Sequence, residues 1–371
     1  MSLLPESDRI LLGPGPSPTA PRVMRALASP TIGVLDPIML AMLDDVRARL
    51  GRLFRAPAGS LALAVSGTGT AGMETVIANL VKEGSRALVV VTGYFGDRLA
   101  QMCSRYGATV TRLDVEWGRA CEPDALERAL RTSPADIVAL VHAETSTGVL
   151  NPVDRLAPIA RAHDAIVVVD AVTSFGGQRL DVEAWGIDAC YSCSQKCLGA
   201  PSGLSPVVFS PRALERRVPC RSFYFDLKGL EDYWIGRKYH HTMSSALVCA
   251  LTEALAIVEE EGLEARWQRH ERHHLLLLDR LKHLGLSVLP PENERLWTVN
   301  AVRVPDGIDE AAVRRLLLVE FNIEIGAGLG PLSGKIWRVG LMGTGSAPRF
   351  VHLLITALEQ AFARQGRQVP A

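Results

Sequence analysis

The chain has 371 residues, of which 48% are hydrophobic and 22% charged, as is typical of a globular protein. Its 40 basic and 40 acidic residues give no net charge, so no general attraction to nucleic acid or an anionic membrane is expected. No apolar run is long enough for a membrane-spanning helix, and the N-terminus shows no signal-peptide pattern. Because the seven cysteines also lack a disulfide-like spacing, we expect a cytoplasmic protein.

Apolar runs in the first two thirds of the chain predict the strands of a mostly parallel, seven-stranded sheet. They lack polar alternation, which indicates burial on both faces. The runs are Leu61–Val65, Arg86–Val91, Thr109–Val115, Ile137–His142, Ala165–Asp170, Asp188–Ser192 and Pro206–Ser210. Helices are predicted between them at Gly72–Lys82, Arg98–Tyr106, Glu122–Thr132 and Val153–His163. This alternation predicts a large α/β domain whose sheet is sandwiched by helices.

The pattern changes in the last third of the chain. One long helical stretch is predicted over Ser244–Leu284. Strands are then predicted at Leu286–Leu289, Trp297–Val304 and Ile336–Leu341, with helices at Glu310–Phe321 and Ala347–Arg364. These elements predict a smaller C-terminal α+β domain.

The first predicted strand runs into a glycine-rich turn, Gly67–Gly72, that precedes a helix. Glycines let the backbone approach an anion, and the helix N-terminus with Thr68 and Thr70 supplies donors, so a phosphate fits here. The turn also matches the dinucleotide fingerprint G-x-G-x-x-G, but the end of the second strand, near Val91, lacks the acid that holds a ribose. This absence weakens the nicotinamide interpretation, and a tight turn without any ligand is a further alternative.

Two further strand ends carry residues suited to chemistry. Asp170 ends an apolar strand, where burial of an acid is costly unless the acid meets a cation or hydrogen-bond donors. The partner could be a protonated ring nitrogen of a cofactor. The structural alternative is that Asp170 caps a helix or forms a salt bridge. Lys196 lies among small uncharged residues, which lower an amine's pKa and make it nucleophilic towards carbonyl groups. A phosphate cradle, an acid and a Schiff-base lysine are the parts of a pyridoxal-phosphate site.

With these features the chain resembles the alanine–glyoxylate/serine–pyruvate aminotransferases, class V enzymes of fold type I. The resemblance covers nearly the whole chain. It rests on the segments Leu11–Ser17, Glu144–Leu150, Ser194–Lys196, Tyr239–Thr242, Gly328–Lys335 and Arg338–Gly340. We accordingly assign residues 1–20 to a segment near the active site, 21–260 to a large cofactor-binding domain and 261–371 to a small domain.

The resemblance implies a role for each matching position. Lys196 forms the Schiff base and shuttles the proton, Asp170 pairs with the ring nitrogen, and Arg338 binds the substrate carboxylate. The positions implied to bind pyridoxal 5'-phosphate are Thr68, Gly69, Thr70, Phe95, Thr145, Asp170, Val172, Gln195, Lys196, Tyr239 and Thr242. Tyr239 and Thr242 reach the phosphate from the neighbouring subunit, so a homodimer with shared sites is implied.

The resemblance implies a ping-pong transamination from alanine or serine to glyoxylate or pyruvate. Val34 replaces a polar residue of the family's loop, and Thr70 stands where some members have histidine, so the amino donor stays open. Ureidoglycine, aminoethylphosphonate or a specialised amine are alternative donors. Three alternatives are proteins of other kinds: a nicotinamide-dependent oxidoreductase using Gly67–Gly72, a cysteine desulfurase and a non-catalytic binding protein. The desulfurase is disfavoured because no cysteine follows Cys249 to accept the sulfur.

His270 and His274 are spaced like metal ligands on one helix face. Because Arg266, Arg269 and Arg272 crowd the same stretch and repel a cation, we expect a solvated charged face and no metal site.

Overall fold

The computed structural model describes residues 9–366. Residues 1–8, where the sequence shows no signal peptide, and 367–371, the end of the predicted small domain, lie outside the described residues. The strands are β1 (Ile10–Leu11), β2 (Leu61–Ser66), β3 (Arg86–Val91), β4 (Thr109–Asp114), β5 (Ile137–Val141), β6 (Ala143–Glu144), β7 (Val149–Leu150), β8 (Ile166–Asp170), β9 (Ala189–Tyr191), β10 (Leu204–Phe209), β11 (Val299–Arg303), β12 (Ile323–Glu324), β13 (Gly326–Ala327) and β14 (Ile336–Gly340). The α-helices are α1 (Pro21–Leu27), α2 (Pro37–Leu53), α3 (Gly69–Leu80), α4 (Tyr94–Arg105), α5 (Pro123–Thr132), α6 (Val153–Ala162), α7 (Val182–Trp185), α8 (Pro211–Glu215), α9 (Leu227–Trp234), α10 (Ser245–Glu261), α11 (Leu263–His283), α12 (Glu310–Glu320) and α13 (Pro348–Arg364).

A seven-stranded sheet with the order β2-β10-β9-β8-β5-β3-β4 forms the centre of the large unit. All neighbouring strands are parallel except β10, which is antiparallel to both β2 and β9. Every residue of β5, β8 and β10 is buried, and successive side chains of a strand point to opposite faces, so both faces of the sheet are covered. The predicted fold class is therefore confirmed.

The C-terminal unit contains the antiparallel sheet β11-β14-β13. Its separate hydrophobic cluster includes Leu277 of α11, Val313 of α12, Trp337 of β14 and Phe362 of α13. The N-terminal strand β1 pairs in parallel with β12, and Leu12 belongs to the same cluster. The N-terminal segment is thus attached to the C-terminal unit before the chain enters the large sheet.

Several predicted elements of the C-terminal third are wrong in detail. The long helix is two helices, because Gly262 adopts a φ of 79° and separates α10 from α11. Leu286–Leu289 is not a strand; only Val288 forms a single bridge, with Val302. In the N-terminal region, α1 and α2 had not been predicted.

The expected solvated face around His270 is also wrong. His270 and His274 are 0% and 3% exposed, and Arg266 is 2% exposed. His270 Nδ1 lies 2.8 Å from the carbonyl oxygen of Arg266, and its Nε2 accepts a hydrogen bond from the Gly343 amide at 3.1 Å. This histidine joins α11 to the loop after β14. Within residues 9–366 no cluster of metal-ligating side chains is present, and no helix is long and apolar enough to cross a membrane.

Candidate active site

The carboxyl end of β2 leads into the predicted anion cradle. Thr68 is the N-cap of α3, and its side chain makes no capping hydrogen bond. Gly69 packs so closely against Val172 that a Cβ added to this glycine would lie 2.8 Å from Val172 Cγ2. Thr68 and Thr70 are both exposed in the single chain. The turn therefore presents hydroxyl groups and helix N-terminal amides to an approaching anion.

Asp170 is the last residue of β8, and its side chain is held from two sides. Its Oδ1 accepts a hydrogen bond from the Val172 amide at 2.8 Å, and its Oδ2 accepts one from the Tyr191 hydroxyl at 2.9 Å. Burial raises the pKa of Asp170 to about 7, because an ionised carboxylate is costly in a dry environment. A cation placed beside this carboxylate would restore its charge.

Lys196 lies in the loop between β9 and β10 and reaches towards the N-terminal segment. Its Nζ donates a hydrogen bond to the carbonyl oxygen of Pro14. An added Cβ on Gly15, whose φ is +113°, would lie 2.6 Å from that Nζ, so only glycine leaves room for the amine. Burial lowers the pKa of Lys196, which favours the neutral, nucleophilic amine.

A cavity of about 380 Å³ joins these three features. Eight of the predicted site residues line it together. They are Thr68, Gly69, Thr70, Phe95, Asp170, Val172, Gln195 and Lys196. The other lining residues are Gly15, Pro16, Met73 and Ser202. The cavity is thus built from several strand ends and from the N-terminal segment, as ligand sites of parallel sheets commonly are.

Four predicted site residues do not line the cavity. Arg338 of β14 is 8% exposed and donates from Nε to the Ala327 carbonyl oxygen at 2.7 Å. Burial lowers the pKa of Arg338 to about 10. Gly326 packs against both Pro14 and Arg338, so Arg338 adjoins the N-terminal segment that Lys196 contacts. Thr145 is buried, and its hydroxyl group contacts that of Thr173.

Tyr239 and Thr242 are the other two residues that do not line the cavity of their own chain. Tyr239 is 60% exposed, and its hydroxyl lies 3.1 Å from that of Thr242. A single chain therefore does not bring this pair to the cradle.

Two residues beside the site had not been assigned a role from the sequence. Tyr191 contacts Asp170 as described, and Glu144 is fully buried behind Phe95. The Glu144 carboxylate accepts hydrogen bonds from the amides of Gly96 and Ser146, each at 3.1 Å, and from that of Phe95 at 3.4 Å. Burial raises the pKa of Glu144. Its position shortly after β5, at the start of the family segment Glu144–Leu150, was the available sequence signal.

Comparison with known proteins gives consistent results over nearly the full chain. Residues 34–338 match the family model described as aminotransferase class V. The (S)-ureidoglycine–glyoxylate transaminase of Bacillus subtilis is 36% identical, over 98% of this chain and 92% of the relative. The alanine–glyoxylate aminotransferase of Drosophila melanogaster is 34% identical, over 95% of this chain and 92% of the relative. A crystal structure of an alanine–glyoxylate aminotransferase from Nostoc sp. is 45% identical and superposes with a TM-score of 0.95, covering 98% of this chain and 97% of that one.

Proposed function

The chain belongs to the class V aminotransferase family, and on that premise we propose that it moves the amino group of alanine or serine to glyoxylate or pyruvate. Family membership confirms the resemblance and transamination as the reaction. It also removes the basis for the nicotinamide-dependent alternative, which rested on Gly67–Gly72 alone.

The buried guanidinium of Arg338 is the observation that best supports a small carboxylate substrate. Its Nε is bonded to Ala327, whereas its two terminal nitrogens form no hydrogen bond with any of the residues 9–366. A guanidinium with both terminal nitrogens free can bind one carboxylate through two parallel hydrogen bonds. The cavity of about 380 Å³ must hold the cofactor as well, which favours donors with short side chains.

The residues around the cavity fit pyridoxal phosphate. Gln195 lines the cavity, and its side-chain NH2 group can donate to a phosphate, whereas its buried Oε1, which has no hydrogen-bond partner among the described residues, can only accept. Gln195, Thr68, Thr70 and the α3 amides would hold the phosphate, and Asp170 would face the ring nitrogen. When bound, this cofactor supplies an aldehyde that condenses with amines and a ring that withdraws electrons.

The chain's own groups then have separable tasks. Arg338 orients the substrate by its carboxylate, which fixes the direction of the bond to be broken. Lys196 Nζ, whose pKa is lowered by burial, accepts the proton from the substrate carbon and later returns it. The Asp170 carboxylate, held by the Val172 amide and the Tyr191 hydroxyl, stabilises positive charge on its partner.

The test is a panel of alanine, serine and other amines against glyoxylate and pyruvate, with the wild-type protein and Lys196→Ala. We expect turnover with alanine or serine, complete loss in Lys196→Ala, and covalent labelling of Lys196 by borohydride. Lys228→Ala is the matched control, since Lys228 is exposed and pairs with Asp232 on α9. Full transamination by Lys196→Ala would show that the proposed role is wrong.

A second candidate donor is ureidoglycine, because the Bacillus subtilis relative with that printed activity matches 98% of this chain. Ureidoglycine belongs in the same panel with glyoxylate as acceptor. A kcat/KM for ureidoglycine above that for alanine and serine would select this alternative.

We further propose a homodimer with shared sites. In the single chain the cradle residues Thr68 and Thr70 are exposed, and Tyr239 and Phe223, which are 60% and 83% exposed, present aromatic surface that does not line the cavity. Mixed dimers of Lys196→Ala and Tyr239→Ala subunits test this arrangement. Random pairing gives half mixed dimers with one intact site each, so activity should return to about a quarter of wild type. No recovery on mixing would contradict shared sites.

We also propose a cytoplasmic location. All seven cysteines are free thiols in the structure, which supports a reducing compartment. Cell fractionation with an antibody against the protein tests this location.

A further inference from the structure

Arg98 on α4 lies directly behind the phosphate cradle. Its Nη1 donates a hydrogen bond to Thr70 Oγ1 at 3.1 Å. Its guanidinium carbon also lies 5.3 Å from the centroid of the Phe95 ring and 5.2 Å from that of Tyr94. One side chain therefore contacts both the cradle and the aromatic wall of the cavity.

The guanidinium of Arg98 is not neutralised within the described part of the chain. No Asp or Glu among residues 9–366 forms a salt bridge with it, and the adjacent Asp97 pairs instead with Arg112 at 2.7 Å. Arg98 is partly buried, so its charge is screened by solvent less than that of a fully exposed arginine.

The hydrogen bond fixes the orientation of the threonine hydroxyl. A guanidinium has no acceptor, so Thr70 Oγ1 must accept, and its own hydrogen is then left to donate to another group. Because Thr70 lines the cavity at the first turn of α3, an anion in the cradle is the available acceptor.

The described residues of the cavity lining offer little other positive charge to balance that of a bound phosphate. Among the described lining residues Lys196 is the only cationic side chain, and its amine is engaged with the Pro14 carbonyl and has a lowered pKa. A phosphate dianion bound by hydroxyl groups and amides gains from a nearby positive charge.

We propose that Arg98 is a positioning residue of the phosphate site: it orients the Thr70 hydroxyl towards the cofactor phosphate and supplies the balancing positive charge through that hydroxyl. This role rests on the proposed function, since it requires pyridoxal phosphate in the cavity. The contact with Phe95 links the same residue to the ring wall.

The test compares equilibrium binding of pyridoxal phosphate and of pyridoxal, which lacks the phosphate, to the cofactor-free protein. In Arg98→Met, which keeps an unbranched apolar stem and removes the guanidinium, affinity for pyridoxal phosphate should fall about 10- to 100-fold and affinity for pyridoxal less than about threefold. Thr70→Val should give the same selective loss, and the double variant should lose little more than either single variant. Arg112→Met, on the neighbouring exposed ion pair, is the matched control.

Equal losses for both ligands would overturn the proposal, because they would indicate that Arg98 only supports Phe95. Unchanged binding of both ligands would overturn it as well. If Arg98→Met does not fold, a comparison of pyridoxal phosphate binding by Thr70→Ser and Thr70→Val decides. Only serine retains a hydroxyl group, so only Thr70→Ser should keep the affinity of the wild-type protein. Failure of the proposed function is distinguishable, because the wild-type protein would then bind neither ligand at Lys196.

Discussion

Tyr191 donates a hydrogen bond to Asp170 across two adjacent strand ends, with 2.9 Å between the phenolic oxygen and Oδ2. The two residues are 21 positions apart in the chain, and the parallel pairing of β8 with β9 places them opposite each other. Together with the Val172 amide, this hydroxyl stabilises the ionised form of a carboxylate that burial disfavours.

Tyr191→Phe removes that donor and keeps the ring. We expect the pKa of Asp170 to rise further in the cofactor-free protein, because its charged form loses a hydrogen bond. Affinity for pyridoxal phosphate should fall about threefold to tenfold, as for one lost charge-assisted hydrogen bond. Titration of the cofactor-free protein by NMR measures the pKa, and Tyr106→Phe, which loses a bond to Glu74, is the control. An unchanged Asp170 pKa would contradict the assignment.

Asp170→Asn should change how the stability of the cofactor-free protein depends on pH. The folded pKa of about 7 lies above the ordinary 3.8, so the unfolded chain releases this proton at lower pH. The contribution of Asp170 to stability is therefore fully present below about pH 4 and is lost as the pH rises to about 7, by a few kcal/mol at most. Urea unfolding between pH 4.5 and 7.5 should show the free energy of unfolding of the wild type falling relative to that of Asp170→Asn. The same pH dependence in both proteins would refute the raised pKa of Asp170.

Gly15→Ala should displace Lys196. The added methyl group would lie within 2.6 Å of Nζ and 2.5 Å of Cδ, so the lysine has to leave its place beside Pro14. We expect borohydride labelling of Lys196 and transaminase turnover to fall at least about tenfold. Gly84→Ala has a similar positive φ, +80°, with nothing within 4 Å of the new Cβ, and separates backbone strain from the clash. Equal effects of both substitutions would contradict this account.

Glu144→Gln should loosen the start of α4. The carboxylate accepts bonds from the Phe95, Gly96 and Ser146 amides, and a side-chain amide would turn one acceptor into a donor facing a donor. We expect a loss of about 1–3 kcal/mol in the free energy of unfolding. Denaturant unfolding measures it, with Glu83→Gln, on an exposed ion pair with Arg221, as the control. A loss no larger than that of the control would argue against this role.

Arg338→Ala should impair carboxylate substrates selectively. Removing a two-point, charge-assisted contact should lower kcat/KM for alanine by about 30- to 1000-fold. Half-reactions with a simple amine that lacks a carboxylate should change less than about threefold, because they never use the guanidinium. Stopped-flow absorbance follows both half-reactions, and Arg349→Ala, at an exposed position, is the control. Equal losses for both substrate types would show that Arg338 acts on the fold instead.

The sequence alone determined the fold class and the order of cradle, acid and lysine. These features depend on local properties: apolar runs without alternation mark buried strands, and a residue directly after such a strand lies at the ligand-binding edge. For that reason Thr68, Asp170 and Lys196 could be selected before any contact was known, and the structure places them around one cavity.

Only the tertiary structure decided which residues support them. The bonds of Tyr191 to Asp170, of Arg98 to Thr70 and of Glu144 to the start of α4 join residues 21, 28 and up to 49 positions apart. Strand order and helix packing determine these neighbours, and no periodicity in the sequence encodes them. The burial of His270 has the same origin, because its Nε2 accepts a hydrogen bond from Gly343, 73 positions away in the loop after β14.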